Sequence, residues 1–182
     1  TDKTIQTINP LTEKVLGTYS YMTDAEALEI VQASHNAFLE WRLKSLDERA
    51  SVISSIATEL RKSRDEFAQL MTDEVGKLLR DSLSEIELCA AICDYTAKNG
   101  PDFLADEQRE VPNGRGLVTY APLGVIYGIQ PWNFPCYQAV RYSISCLMAG
   151  NGVLLKHSEN CTGSGLMLRD IFERAGLPNG LF

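Results

Sequence analysis

The sequence predicts an α/β fold, namely part of a Rossmann-like, doubly wound parallel sheet that is preceded by a helical segment and a β-hairpin. Two apolar runs, residues 125–129 and 153–155, are too short for helices and are separated by apolar residues at helical spacing. Short apolar strands of this kind are typical of parallel sheets, so both are predicted to be buried on both faces. The helix between them then makes a right-handed β-α-β unit. Polar residues follow each run, at the edge where open α/β sheets bind ligands.

The composition argues against a nucleic-acid-binding, membrane or disulfide-rich protein. The chain has 182 residues, with 17 basic and 24 acidic side chains and a formal net charge of −7. This charge does not suit nucleic acid, and acidity at this level mainly favours solubility. The sequence contains neither a signal peptide nor an apolar run of roughly 18 residues, so no membrane association is expected and a cytoplasmic location is predicted. The five cysteines are expected to be reduced thiols.

Residues 1–107 are predicted to be the mainly helical, amino-terminal part of the domain. Residues 1–20 have no helical period and are expected to form a loop with short extended pieces. Three helices are predicted to begin at capping boxes: Thr23 with Glu26, Ser45 with Glu48, and Ser63 with Glu66. Gly76 is expected to interrupt or end the third helix. A fourth is predicted from about residue 81 to residue 98 and to end at Gly100-Pro101.

Extended segments flank Asn113-Gly114, so residues 108–121 are predicted to form a β-hairpin. Residues 122–182 are predicted to form the β-α-β-α core, with Thr162 as the cap of the last helix. Leu181-Phe182 is interpreted as the opening of a third strand. A parallel sheet with two strands and a third just begun cannot close its core, so the sequence predicts an incomplete domain.

The loops at the predicted sheet edge also carry a resemblance. The pentapeptide Pro-Trp-Asn-Phe-Pro at 131–135, with Pro-Leu-Gly-Val at 122–125 before it and Lys-His-Ser-Glu at 156–159 after it, resembles the aldehyde dehydrogenase superfamily. The resemblance runs from Ile8 to Gly180 and covers the amino-terminal portion of the family's length. It implies NAD(P)-dependent oxidation of an aldehyde to the carboxylic acid by way of a cysteine thiohemiacetal. The family's nucleophile and general base lie further along the chain, so these 182 residues alone are predicted to be inactive.

Asn133 is the candidate catalytic residue. Considered by itself, an asparagine in such a loop is expected to tie its own turn. The resemblance implies instead that its amide donates a hydrogen bond to the oxyanion that develops on the substrate carbonyl. It also implies that Ile129, Pro131 and Trp132 line the path of the cofactor.

Lys156, His157, Ser158 and Glu159 form the second candidate loop. An isolated lysine at a strand end is expected to extend to solvent, whereas the resemblance implies a contact to the adenosine ribose or its phosphate. Glu159 is expected to accept bonds from the ribose hydroxyls and to repel a 2′-phosphate, which favours NAD over NADP unless a nearby lysine offsets it. His157 stands where the family more commonly has proline, and Lys-His resembles some bacterial succinate-semialdehyde dehydrogenases.

The expected partners are a small aldehyde, succinate semialdehyde being the candidate, and further copies of the full-length chain. The resemblance implies that the hairpin at 108–121 serves oligomer contacts, so a homodimer or homotetramer is expected. Two alternatives stay open: a truncated, non-catalytic paralogue that acts as a structural or regulatory subunit, and a nucleotide-binding module outside the family. Cys89 and Cys93 share a helix face, but no second ligand pair is spaced for a metal site, so core packing is predicted.

Overall fold

The computed structural model describes residues 3–182, so the first two residues of the predicted amino-terminal loop lie outside the described range. Within residues 3–182, six strands and six α-helices follow one another. The strands are β1 (Thr4–Ile8), β2 (Val15–Ser20), β3 (Glu107–Val111), β4 (Gly114–Val118), β5 (Val125–Ile129) and β6 (Gly152–Lys156). The helices are α1 (Asp24–Trp41), α2 (Leu46–Lys62), α3 (Arg64–Val75), α4 (Leu79–Phe103), α5 (Pro135–Met148) and α6 (Thr162–Arg174).

The amino-terminal segment is more regular than its sequence predicted. In place of a loop with short extended pieces, β1 and β2 form an antiparallel hairpin with an irregularity between Thr7 and Ile8. Asn9 organises the turn, because its Oδ1 accepts bonds of 3.0 Å from the amides of Leu11 and Thr12. The hairpin packs on the turn that precedes α6 and on α3. Because these partners are distant in sequence, no local sequence pattern indicates the contacts.

Two of the three predicted capping boxes are confirmed. Thr23 and Ser45 each accept a bond from the amide three residues on, and Glu26 and Glu48 bond back. The box at Ser63 is wrong: within the described residues its side chain caps no amide of α3. Its Oγ accepts instead from Nη2 of Arg174 at 3.0 Å, so a distant arginine competes successfully for the hydroxyl. Gly76, with φ of 70°, ends α3 as predicted.

Helix α4 continues past its predicted end. Gly100 and Pro101 both lie inside it, and it stops only at Phe103. Proline fixes φ near the helical value but removes one amide donor, so the last turn of α4 lacks one of its hydrogen bonds. Gly100 faces α5 closely, since a Cβ there would lie 2.6 Å from Cγ of Met148. The glycine thus serves helix packing and not helix termination.

The predicted hairpin at 108–121 is confirmed as antiparallel β3 and β4, with Val111 opposite Gly114. The two turn residues are Pro112 and Asn113, and Asn113 has φ of 64°. Proline followed by a residue with positive φ is the type II pattern, which places the turn one residue earlier than Asn-Gly implied.

The β-α-β unit is confirmed: β5 and β6 are parallel, with Val125 opposite Gly152 and Ile129 opposite Lys156. The prediction that β5 is buried on both faces is wrong, because Tyr127 and Ile129 are 61% and 68% exposed. Among residues 3–182, the face of β5 that carries these two side chains is left open, whereas Gly128 on the other face is buried against α5. On the other side of β6, the Val153 amide donates to the carbonyl of Leu181 at 2.8 Å. The chain end therefore lies where a third strand would begin, although it is not assigned as one.

The core lies between the amino-terminal helices and the β-α-β unit. Helix α4 packs against α2 and α5, and α6 packs against α2 and α3. Cys89 and Cys93 are buried in this core, as predicted, and all five cysteines are free thiols. Among residues 3–182, no helix combines the length and the apolar content needed to span a membrane.

We predict that Gly128→Ala destabilises the protein by about 1–3 kcal/mol, the usual effect of overpacking. A Cβ at residue 128 would lie 2.3 Å from Cζ of Tyr142. That ring cannot easily move, because its hydroxyl donates to the carbonyl of Leu154 at 3.1 Å. The measurement is the free energy of unfolding in urea. Gly114→Ala is the control, since a Cβ there meets only Val111 at 3.7 Å; equal losses for both variants would contradict the prediction.

Candidate functional site

Two loops lie side by side at the carboxyl ends of the parallel strands. Residues 130–134 follow β5 and lead into α5, whereas residues 157 and 158 follow β6 and lead into a 3₁₀ turn at Glu159–Cys161. The Gln130 amide donates to the carbonyl of Lys156 at 3.0 Å, which extends the strand pairing by one residue. The two predicted site segments are therefore neighbours, as their positions after parallel strands required.

His157 ties the two loops together. Its Nε2 lies 2.9 Å from the carbonyl oxygen of Pro135, and its Nδ1 lies 2.9 Å from the amide of Ser158. A carbonyl can only accept and an amide can only donate, so the ring is neutral with its proton on Nε2. Proline at position 157 could make neither bond.

The environment of His157 agrees with this neutral form. Burial lowers the pKa of the imidazole from its ordinary value of 6.5, although its bonds to backbone carbonyls oppose the shift. The buried thiol of Cys161 lies 3.2 Å from Nδ1, and burial raises the pKa of that thiol to about 12. Both ring nitrogens of His157 are already bonded to backbone groups, so His157 is a positioning residue in this arrangement.

The start of α5 is capped by a buried carboxylate from another helix. One Oε1 atom of Glu85, on α4, accepts from the amides of Cys136 and Tyr137 at 2.9 and 2.8 Å. Its other oxygen pairs with the ammonium of Lys77, which also lies 3.8 Å from the ring centre of Phe134. Since Pro135 has no amide proton, these are the first two donors of the helix. The loop that carries Asn133 is thus held at its carboxyl end.

A second buried glutamate caps α6 in the same way. Glu74, on α3, accepts from the amides of Gly163 and Ser164 at 2.8 and 2.9 Å and from the Ser164 hydroxyl at 2.7 Å. Burial nevertheless raises the pKa of Glu74. The prediction that Thr162 caps this helix is wrong, because its hydroxyl donates backwards to the carbonyl of Glu159. At Gly163 a Cβ would lie 2.7 Å from the Glu74 carboxylate, so glycine serves this close approach.

An open cleft of about 440 Å³ lies between the amino-terminal hairpin, the end of β6 and α6. Three of the predicted site residues line it: Lys156, His157 and Glu159. The side chains that sequence reasoning missed come chiefly from distant elements and include Tyr19, Tyr21, Leu166, Arg169 and Phe182. Of these residues, only Tyr19 and Tyr21 could have been noticed in the sequence, as aromatic side chains close together. Aromatic residues are also common in strands that bind nothing, so they would not have indicated a cleft.

The remaining predicted residues lie outside this cleft. Ile129 is exposed at the end of β5, and Pro131, Trp132 and Asn133 are exposed on the loop that follows. Ser158 is half-buried, and its hydroxyl donates to Oδ1 of Asn160 at 2.8 Å. Asn133 does not tie its own turn: within residues 3–182 its side chain makes no hydrogen bond. The amide therefore faces solvent with its donors available, which is compatible with the predicted oxyanion contact.

Comparison with known proteins identifies relatives along the whole chain. The aldehyde dehydrogenase family matches residues 1–182. The succinate-semialdehyde dehydrogenase [NADP(+)] of Deinococcus radiodurans is 40% identical over 181 residues, covering 100% of this chain and 38% of that protein. The Escherichia coli succinate semialdehyde dehydrogenase [NAD(P)+] is 35% identical and covers 96% of this chain and 38% of its own length.

Solved structures show the same fold. The succinic semialdehyde dehydrogenase of Streptococcus pyogenes in complex with NADP+ superposes with a TM-score of 0.93 at 34% identity, covering 97% of this chain and 39% of that one. The succinate-semialdehyde dehydrogenase of Burkholderia pseudomallei gives 0.93 at 31% identity, covering 98% and 37%. The chain thus spans less than two fifths of the length of these relatives.

Removal of the Glu85 carboxylate is expected to be costly. Glu85→Ala leaves the ammonium of Lys77 and two helix amides without their partner, which costs about 3–5 kcal/mol of unfolding free energy. Glu85→Gln keeps an acceptor oxygen and should lose less. The control is Glu87→Ala, two positions along the same helix, where an exposed pair with Arg61 is worth less than about 1 kcal/mol. Urea unfolding of the three variants measures the difference, and equal losses at positions 85 and 87 would exclude this capping role.

The lowered pKa of His157 predicts a dependence of stability on pH. The unfolded chain takes up a proton near pH 6.5 and the folded chain only at lower pH, so stability is complete above 6.5 and is lost as pH falls toward the folded pKa. His157→Gln should therefore lose less stability than the wild type between about pH 7.5 and about pH 5.5. His35→Gln, at the only other histidine, should follow the wild type. Identical pH profiles for His157→Gln and the wild type would refute the assignment.

Proposed function

The chain belongs to the aldehyde dehydrogenase family, and we propose that it provides the adenosine side of the NAD(P) cleft and the oxyanion donor of an enzyme that oxidises an aldehyde to the acid. The observation that carries this proposal is the linkage of the two loops at the sheet edge. His157 fixes the segment from Lys156 to Glu159 to the first residue of α5, two positions after Asn133. The proposed cofactor residues Lys156 and Glu159 and the proposed oxyanion donor Asn133 are thereby held at fixed relative positions.

The residues of the cleft suit the adenosine half of a dinucleotide. Within residues 3–182, Lys156 makes no ion pair, so its ammonium is available to a phosphate or a ribose oxygen. Glu159 offers carboxylate oxygens to hydroxyl groups. The names of the relatives favour NADP, against the preference for NAD that Glu159 alone suggested. We propose that the cleft accepts NADP, which supplies a hydride acceptor when bound.

Asn133 supplies the oxyanion donor in this proposal. Its exposed amide lies on a loop whose far end is fixed by Glu85 and whose near end continues a paired strand. A donor held in advance in this way contributes about 3 kcal/mol to transition-state stabilisation. Ile129, Pro131, Trp132 and Ser158 are proposed to complete the walls of the cofactor path.

The nucleophile is proposed to come from outside these 182 residues. A cysteine nucleophile reacts as the thiolate, which requires a lowered pKa. Here burial raises the pKa of Cys93, Cys136, Cys146 and Cys161, the opposite of activation. We therefore propose that the 182-residue chain alone does not turn over aldehyde.

The names of the relatives support a proposal for the substrate, and one exposed element supports a proposal for the assembly. The names of the relatives make succinate semialdehyde the proposed substrate. The β3–β4 hairpin carries three exposed aliphatic side chains, Val111, Leu117 and Val118, on a projecting pair of strands. We propose that this hairpin takes part in a homodimer or homotetramer of the complete protein.

Substitution of Asn133 tests the proposed role. In the product of the complete reading frame, assayed for NADP-dependent oxidation of succinate semialdehyde, Asn133→Ala should lower kcat by about 10²–10³-fold because an oxyanion donor is lost. Asn36→Ala, on the exposed face of α1, should leave kcat unchanged. Wild-type kcat in Asn133→Ala would exclude the role of Asn133. Turnover by the 182-residue chain at the rate of the complete product would show that the nucleophile lies within it.

A further inference from the structure

Tyr21 connects the amino-terminal hairpin to the second loop. It follows β2 directly, and its hydroxyl donates to Oε1 of Glu159 at 2.9 Å across 138 positions of sequence. Both side chains line the cleft. The hydrogen bond to the carboxylate raises the pKa of the Tyr21 phenol, so the phenol remains a donor throughout the neutral range.

The bond fixes where the negative charge of Glu159 lies. The backbone of Glu159 is held by the Thr162 hydroxyl, which donates to its carbonyl at 2.8 Å. The side chain of Glu159 is held separately by Tyr21, which lies at the end of the β1–β2 hairpin. One carboxylate oxygen is thereby occupied and the charge is directed toward the hairpin wall of the cleft.

The remaining charges in the cleft are cationic. Glu159 is the only carboxylate among the described lining residues, which also include Lys156 and Arg169. Arg169 pairs with Asp170 at 2.7 Å, whereas Lys156 makes no ion pair within residues 3–182. Lys156 attracts a phosphate on the ribose and Glu159 repels it. The net effect then depends on how closely the Glu159 carboxylate can approach the ribose.

We propose that Tyr21 is a specificity-determining residue for the 2′-position of the cofactor ribose, acting through Glu159. By holding the carboxylate against the hairpin, it reduces the repulsion of a 2′-phosphate, and the cleft then tolerates NADP as well as NAD. This inference rests on the proposed cofactor site. Without the phenol, the carboxylate is free to bind the ribose hydroxyls and to repel the phosphate.

The test uses two ligands that differ only at the 2′-position. Adenosine 2′,5′-bisphosphate and 5′-AMP are titrated into the 182-residue chain, and NMR shift changes of cleft residues give both dissociation constants. Tyr21→Phe should raise the ratio of the bisphosphate Kd to the AMP Kd by about two- to fivefold, the size of one surface charge interaction. Tyr19→Phe is the matched control, because it removes another cleft hydroxyl that is not bonded to Glu159; its ratio should equal that of the wild type.

A double-mutant cycle identifies the route of the effect. In a Glu159→Gln background, Tyr21→Phe should leave the ratio unchanged, because there is no charge left to position. An unchanged ratio in Tyr21→Phe alone, or an equal change in both backgrounds, overturns the proposal for Tyr21 while leaving the cofactor site intact. Absence of binding by both ligands to the wild type would overturn the cofactor site itself.

Discussion

The buried carboxylate of Glu85 at the start of α5 is the interaction on which the arrangement of the site depends. The first amides of a helix have no partner inside the helix, and at a buried helix end they must find one elsewhere. Here Cys136 and Tyr137 find it in a glutamate from α4, whose charge is balanced by Lys77. The position of α5, and of the loop before it, is therefore set by a residue of α4 that lies 51 positions earlier in the chain.

The same device recurs at the other helix ends near the sheet. Glu74 holds the start of α6 from α3. At the carboxyl end of α5, the indole of Trp41 donates to the carbonyl of Leu147 at 2.9 Å and the guanidinium of Arg49 donates to that of Met148 at 2.8 Å. The amino-terminal helices thus do more than cover apolar surface. They satisfy the backbone groups of the two helices that flank the site, which makes the site loops short spans between fixed ends.

One side of the cleft is formed by these fixed loops and helices, and the other side is formed by the β1–β2 hairpin. The β1–β2 hairpin packs on the turn before α6, and so Tyr21 reaches Glu159. His157 joins the same region to the loop of Asn133. In the proposed enzyme, contacts at the adenosine end and at the reacting carbonyl are consequently linked through backbone and one imidazole.

Several features that depend on residues close in sequence were predicted correctly, although the helix end at Gly100-Pro101 and the Thr162 cap were not. The capping boxes at Thr23 and Ser45, the helix end at Gly76 and the parallel β-α-β unit each involve short-range geometry or a clear apolar period. Where a distant group competes, the same reasoning was wrong: Arg174 takes the Ser63 hydroxyl that was predicted to cap α3.

By itself, the sequence determined the fold class, the family and the two loops of the candidate site, because strand period, helix caps and the Pro-Trp-Asn-Phe-Pro motif are local signals. Only the tertiary structure decided which side chains hold those loops. Glu85, Glu74 and Tyr21 act across 51, 89 and 138 positions of sequence. A carboxylate on an amphipathic helix looks the same in sequence whether it faces water or a buried helix end, and only the packing of the helices distinguishes the two.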